Sequence, residues 1–304
     1  MARGRQGFLA GIAAYGMWGA FPLYWPLLEP AGAVELLAHR IAWTAVVMVV
    51  LVVAFRLRSA FVALLREPRT RWLLVLASAV ISVNWGTFIW GVNNEHVVET
   101  SLGYFINPLV TVLAGVVVLG ERLRPLQWTA MGLAALAVAG LTWDYGRPPW
   151  VALTLAFSFA AYGLVRKKAD VGAVEGLAVE TAVVTPVAVG YLVWLQLAGQ
   201  SHAFEDPPWH FLLLATSGAV TALPLICFGA AATRVSLTAL GLMQYLAPTL
   251  QFVLGVALLG EPMPTARLVG FTIIWASLML FTVDSMRERQ RLRLQRLALG
   301  SPTP

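Results

Sequence analysis

Residues 34–55 read VELLAHRIAWTAVVMVVLVVAF, an apolar run that contains only three ionisable side chains, Glu35, His39 and Arg40. A helix needs about 20 apolar residues to cross about 30 Å of hydrocarbon. This run is long enough, and the basic stretch RLR follows it at 56–58. We therefore predict a membrane-spanning helix that holds Arg40 inside the span.

The composition extends this interpretation to the whole chain. Of its 304 residues, 59% are hydrophobic and 12% are charged, whereas a soluble globular domain is about a quarter charged. Most of the surface must therefore face lipid. The net charge of +6 is spread between apolar runs, which is typical of topology determinants and excludes a nucleic-acid footprint. The single cysteine, Cys227, excludes an intramolecular disulfide.

The same length criterion predicts ten spans and an all-α integral membrane protein, because no stretch shows the alternating pattern of a β-barrel. The predicted spans are 7–28, 34–55, 72–92, 99–119, 125–143, 149–165, 175–198, 209–230, 237–259 and 264–283. If the N-terminus lies in the cytoplasm, all but three of the 21 Lys and Arg residues lie on the cytoplasmic side of the membrane. The exceptions are Arg147 and Arg267, which lie on the opposite side of the membrane, and Arg40, which lies within a span. The positive-inside rule then predicts a cytoplasmic (inner) membrane protein with both termini cytoplasmic.

The chain also matches itself weakly at a shift of 140 residues. The matched positions include Pro108 with Pro248, Leu119-Gly120-Glu121 with Leu259-Gly260-Glu261, and Arg40 with Glu180. We predict two five-helix repeats, 1–144 and 145–284, and a basic cytoplasmic tail, 285–304. Because five is odd, the second repeat is inverted, as is typical of secondary transporters.

Five strings carry a family resemblance over nearly the whole chain. They are ELLAHRIAW (35–43), NWGTFIWGVNNEHVVETSLGYFINPL (84–109), LGERLRPLQW (119–128), LAFSFAAYGLVRKK (155–168) and QYLAPTLQF (244–252). They resemble the RarD group of EamA-type permeases in the drug/metabolite transporter superfamily. The resemblance implies a ten-helix inner-membrane permease. Members are labelled chloramphenicol-sensitivity proteins, but the resemblance implies no physiological substrate.

Ionisable side chains inside a bilayer usually face the bundle interior. Arg40 and its repeat counterpart Glu180 carry opposite charges, which predicts a pair across the pseudo-two-fold axis. In the functional interpretation Arg40 binds an anionic group of the substrate, and Glu180 holds or releases it. The alternatives are a structural ion pair, or an Arg40 that snorkels past His39 to the headgroups.

Further polar and aromatic residues recur at helical spacing, which predicts that they line a substrate-binding cavity. The substrate-binding candidates besides Arg40 and Glu180 are Tyr15, Trp18, Asn84, Asn94, Tyr104, Asn107, Gln244 and Tyr245. Helix–helix hydrogen bonding is the alternative role for the amides. Pro108 and Pro248 are expected to bend spans four and nine and to act as hinges.

These features predict a secondary transporter of a small metabolite or drug that works by alternating access. No Walker A or HExxH motif occurs, so we predict no enzyme, catalytic residue, metal or cofactor. The expected partners are a small-molecule substrate and the lipid bilayer, with proton coupling, transport direction and oligomeric state left open. Family analogy suggests an amino acid or an amphenicol-like compound. The alternative is a membrane sensor or accessory subunit that binds a ligand without moving it.

Overall fold

The computed structural model describes residues 2–119, 123–203, 208–232, 234 and 243–298, and all regular structure in these ranges is helical. The α-helices are α1 Ala2–Gly19, α2 Phe21–Tyr24, α3 Ala33–Ala54, α4 Arg58–Arg66, α5 Pro68–Asn93, α6 Val97–Leu119, α7 Pro125–Tyr145, α8 Trp150–Ala169, α9 Ala173–Leu197, α10 Pro208–Ala232, α11 Leu246–Val253 and α12 Thr265–Ala298. A 3₁₀ turn, Trp25–Leu28, follows α2, and a π-helical turn, Leu254–Leu258, follows α11. The expected all-helical class is confirmed.

Seven helices within these described ranges are long and apolar enough to cross a membrane. They are Ala33–Ala54, Pro68–Asn93, Val97–Val118, Pro125–Tyr145, Val174–Leu197, Trp209–Phe228 and Thr265–Asp284. Trp150–Arg166 and Leu246–Leu258 form shorter apolar helices. Large apolar side chains remain exposed along these helices, among them Val49 on α3 and Val187 on α9. Such surfaces suit contact with lipid.

The first predicted span, 7–28, is not one continuous helix. It divides into α1, α2 and the 3₁₀ turn, with Pro22 in α2 and Pro26 in the turn. Proline has no backbone N–H and clashes with the preceding helical turn, so two prolines four residues apart prevent a regular helix. Residues 237–242 of the predicted ninth span lie outside the described residues. α12 continues past Asp284 to Ala298, so the first part of the predicted tail extends the last helix.

The two halves of the chain are interlocked. In the first half, α3 packs against α9 and α10 of the second half, while α5 and α6 pack against α8. α1 also packs against α10 and α11. The centre of the bundle is therefore an interface between the halves, and α3 lies within it.

Carboxylates cap two helices at one end of this bundle. Glu261 accepts hydrogen bonds from the backbone N–H groups of Val97 and Val98 at the start of α6, the latter at 2.8 Å. Glu99 accepts from Val151 N at 2.9 Å at the start of α8. Loss of water on burial raises the pKa of Glu261 above its usual value, and its two backbone donors oppose that rise. Carboxylates at helix N-termini are also favoured by the helix dipole.

The starts of α3, α6, α8 and α10 share one apolar cluster, which includes Leu36, Val97, Val151 and Leu214. We call this the Glu35 end of the bundle. At the opposite end Arg124, which precedes α7, donates from Nε to Asp284 on α12 at 2.7 Å. We call this the Arg124 end. Both ends are thus cross-linked by polar contacts between distant parts of the chain.

Candidate functional site

The side chain of Arg40 is buried on α3 with one hydrogen-bond partner. It is 4% exposed, and its Nε donates to Thr221 Oγ1 on α10 at 2.9 Å. Thr221 in turn donates to Ser217 O at 2.9 Å, so its hydroxyl is oriented to accept from Arg40. Among the described residues no other hydrogen bond joins this guanidinium. Both terminal nitrogens therefore keep donors that a ligand can use.

Aromatic rings rather than a carboxylate surround the charge of Arg40. Its Cζ atom lies 4.1 Å from the ring centroid of Trp85, 5.1 Å from that of Trp25 and 5.8 Å from that of Phe21. Ring faces attract a cation with about 2 kcal/mol when both groups are desolvated. The site is thus a cationic fork held between rings from α2, the 3₁₀ turn and α5. No local sequence pattern predicts that Trp85 and Phe21 contact this charge.

The predicted pair between Arg40 and Glu180 is wrong. Glu180 accepts from Arg166 Nη1 at 3.0 Å and from Tyr162 OH at 3.1 Å, and it is 2% exposed. Arg40 and Glu180 are each the eighth residue of their helix, but α3 starts at the Glu35 end and α9 at the Arg124 end. At about 1.5 Å per residue, each lies roughly 10 Å from its own end. The two charges therefore lie at different depths in the bundle.

A cavity of about 10 Å³ lies between the two charged sites. Its lining includes Trp85, Glu180, Ser78, Ser82 and Thr181. That volume matches about one water molecule. Trp85 borders this cavity and also contacts the guanidinium of Arg40, so a metabolite could pass from one charge to the other only if these helices move apart.

The ion pair of Glu180 predicts a large effect on stability. Glu180→Ala leaves the charge of Arg166 without its partner, and breaking a buried pair costs about 3 kcal/mol. Glu180→Gln should cost less, because an amide oxygen still accepts from Tyr162. Thermal unfolding in detergent measures both. The matched control is Glu175→Ala on the same helix, and an equal loss of stability in Glu175→Ala and Glu180→Ala would contradict the assignment.

Two of the predicted cavity amides join helices instead. Asn84 Nδ2 donates to Leu155 O at 3.0 Å and to Ser158 Oγ at 2.9 Å, and Tyr104 OH donates to Asn84 Oδ1 at 3.4 Å. Asn107 Nδ2 likewise donates to a backbone oxygen of α8, at 3.1 Å. The alternative that the sequence left open, helix–helix bonding, describes these two amides.

The other predicted lining residues lie in several places. Tyr15, Trp18 and Phe228 form a ring cluster between α1 and α10, with centroids 5.3–6.1 Å apart. Gln244 and Tyr245 are half-buried in the turn before α11. Asn94 is exposed at the end of α5, where its Nδ2 donates to an oxygen of its own helix. Asn94 is therefore separate from the buried Arg40 site.

The two predicted hinge prolines differ in position. Pro108 lies inside α6, as expected for a kink. Pro248 is the third residue of α11, in the first turn, where a missing N–H breaks no intrahelical bond. Pro248 thus lies just after the turn at residues 244–245, a π-helical turn follows α11, and the role of Pro248 as a hinge stays a prediction.

Comparison with known proteins identifies one family twice along the chain. The EamA-like transporter family matches residues 5–143 and again residues 148–283. This chain belongs to the EamA-like transporter family. It is a multi-pass membrane protein with two EamA domains, and its family is one of transporters rather than enzymes.

Relatives within this EamA family confirm the resemblance to RarD. Protein RarD of Streptomyces exfoliatus is 54% identical, over 98% of this chain and 95% of that protein. The uncharacterized transporter PA0485 of Pseudomonas aeruginosa is 43% identical, over 95% of this chain and 97% of that protein. A crystal structure described without a function superposes with a TM-score of 0.59 at 18% identity, covering 91% of this chain and 97% of that one. That likeness shows the shared fold alone.

Proposed function

We propose that this EamA protein is a secondary transporter that moves a small metabolite or drug, such as an amino acid or an amphenicol-like compound, across the cytoplasmic membrane. The observation that carries the proposal is the guanidinium of Arg40. It is buried between the two halves of the protein, and among the described residues only its Nε is hydrogen-bonded. An ionised side chain inside a membrane protein usually marks a substrate path.

The chemistry of the site favours a substrate with a planar group of two acceptor oxygens. An arginine fork binds such a group, for example a carboxylate, through two parallel N–H bonds. The rings of Trp85, Trp25 and Phe21 suit an apolar body attached to that group. In this proposal Arg40 binds the anionic group, and Tyr15, Trp18, Tyr104, Gln244 and Tyr245 border the path.

The topology proposed for this activity has ten spans in two inverted repeats, 1–144 and 145–284, with the tail 285–304. α1 with α2 and the 3₁₀ turn, α8, and the segment around α11 supply the three spans beyond the seven long helices. The distribution of Lys and Arg supports cytoplasmic termini. The Glu35 end then faces outward, so Arg40 lies in the outer half of the bilayer and Glu180 in the inner half. Relative movement of the repeats would expose the Arg40 site to each side in turn.

Flux into proteoliposomes tests the proposal. Labelled amino acids and chloramphenicol are supplied outside, with and without a pH gradient. The expected result is uptake of at least one compound above that of protein-free liposomes, and dependence on the gradient would identify proton coupling. A sensor or accessory subunit would instead bind a compound at equilibrium and give no flux. That result would overturn the transporter assignment for the compound that binds.

A further inference from the structure

A buried histidine at the Glu35 end joins the two halves of the protein. His210, the third residue of α10, is 2% exposed. Its Nε2 lies 3.0 Å from Leu28 O, at the end of the 3₁₀ turn in the first half. Its Nδ1 lies 3.2 Å from His202 O, in the loop before α10. One imidazole ring therefore bridges the first half to the second.

The geometry around His210 depends on its proton. Carbonyl oxygens only accept hydrogen bonds, and a neutral imidazole has one N–H donor. A neutral His210 would donate to one carbonyl and direct a lone pair at the other. Only the imidazolium donates to Leu28 O and His202 O together. Protonation of His210 therefore adds one hydrogen bond to this bridge.

Titratable groups lie on the elements that meet at this bridge. Glu35 is 4% exposed and lies 2.9 Å from His202 Nδ1, and it also accepts from His202 N at 2.9 Å and from Ser201 Oγ at 3.3 Å. On the described elements that meet at this bridge, the other titratable or charged side chains are His39 and Arg40 on α3, His202 in the loop, and Glu29 after the 3₁₀ turn. Glu205 and Asp206 precede α10 and lie outside the described residues.

The bridge lies beside the Arg40 site. Leu28 belongs to the same 3₁₀ turn as Trp25, whose ring contacts the guanidinium of Arg40. Leu214, one turn after His210, is fully buried in the apolar cluster that contains Trp25 and Leu28. Loss of the hydrogen bond between His210 and Leu28 O would let the 3₁₀ turn that carries Trp25 move and would open this cluster. A proton on His210 would thus control access to Arg40 from the Glu35 end.

We propose that His210 is a proton-binding site, and that its protonation closes the Glu35 end of the transport path while its deprotonation lets that end open. This inference rests on the proposed transport function, because it assigns the regulation of the same path. The proton comes from water at the Glu35 end and occupies a ring nitrogen facing one of the two carbonyls. A low pH on the outer side of the membrane then favours closure of the Glu35 end.

Thiol labelling tests the proposal without a substrate. Leu214→Cys is placed in a Cys227→Ser background, and its reaction with a membrane-impermeant maleimide is followed in proteoliposomes. Each rate is divided by that of Glu95→Cys, an exposed reference at the same end, to remove the intrinsic pH dependence of thiols. From about pH 5 to about pH 8, where histidines ordinarily titrate, we expect the ratio to rise about tenfold, the factor that one hydrogen bond supplies.

Variants then assign the effect to one residue. His210→Gln should abolish the pH dependence of the ratio, because an amide does not titrate, and His210→Asn serves as a second variant if the first folds poorly. His202→Gln and Glu261→Gln should retain it. A flat ratio in the unsubstituted background, or a pH dependence that survives in His210→Gln, would overturn the proposal. Absence of flux from folded protein would instead count against the transport function and leave the labelling result intact.

Discussion

Arg40→Ala is expected to abolish substrate binding and transport while the protein still folds. The substitution removes two charge-assisted hydrogen bonds to the substrate, each worth about 1.5 kcal/mol or more, so affinity should fall by at least about a hundredfold. Stability should change little, because the cost of burying a charge without a carboxylate partner offsets the attraction of the rings and the hydrogen bond to Thr221. Equilibrium binding and proteoliposome flux of the transported compound measure the first effect, and thermal unfolding measures the second.

Two further variants make the Arg40 prediction specific. Arg40→Lys keeps the charge but not the planar fork, so binding should recover only in part. Arg58→Ala, at an exposed arginine that begins α4, should leave flux unchanged. Normal flux in folded Arg40→Ala would remove Arg40 from the substrate path.

Gly218→Ala is expected to destabilise the protein and weaken the Arg40 site together. A Cβ atom on Gly218 of α10 would lie 2.5 Å from Trp43 O on α3, closer than real Cβ contacts allow. Because this neighbour is backbone, the two helices must separate, and such overpacking costs about 3 kcal/mol. Thr221 lies three residues after Gly218, so its 2.9 Å bond to Arg40 should lengthen as well.

The matched control for Gly218→Ala is Gly190→Ala on α9. A Cβ atom there would meet nothing within 4 Å. Alanine in a helix interior is favoured over glycine by up to about 1 kcal/mol, so this variant should be neutral or more stable. Thermal unfolding in detergent compares the two substitutions. Equal stability of both variants would show that α3 and α10 are not in close contact at Gly218.

Arg40 could be found from the sequence because a lone arginine inside an apolar run has few explanations other than a buried site. Its partners could not be found, since Thr221 lies 181 residues away in the chain and no local pattern encodes that contact. The break in the first span was missed, although Pro22 and Pro26 interrupt the run. His210 could not be found either, because Leu28, whose carbonyl it contacts, lies 182 residues away in the chain.

The error over Arg40 and Glu180 has a geometric cause. A match at a shift of 140 residues shows equal positions in two repeats, and equal positions in inverted repeats lie at opposite depths. The prediction for Asn84 shows a second limit, because helical spacing alone does not separate residues that line a path from residues that join helices. Only the donor and acceptor partners of Asn84 and Asn107 make that distinction.

An experimental structure of the protein with its transported compound tests the central claim most directly. The claim is that Arg40 anchors the substrate between the two EamA domains. We predict two acceptor oxygens of the compound within hydrogen-bond distance of the terminal nitrogens of Arg40, with its body against Trp85 and Trp25. A compound bound elsewhere, with those nitrogens bonded to protein groups instead, would contradict the claim.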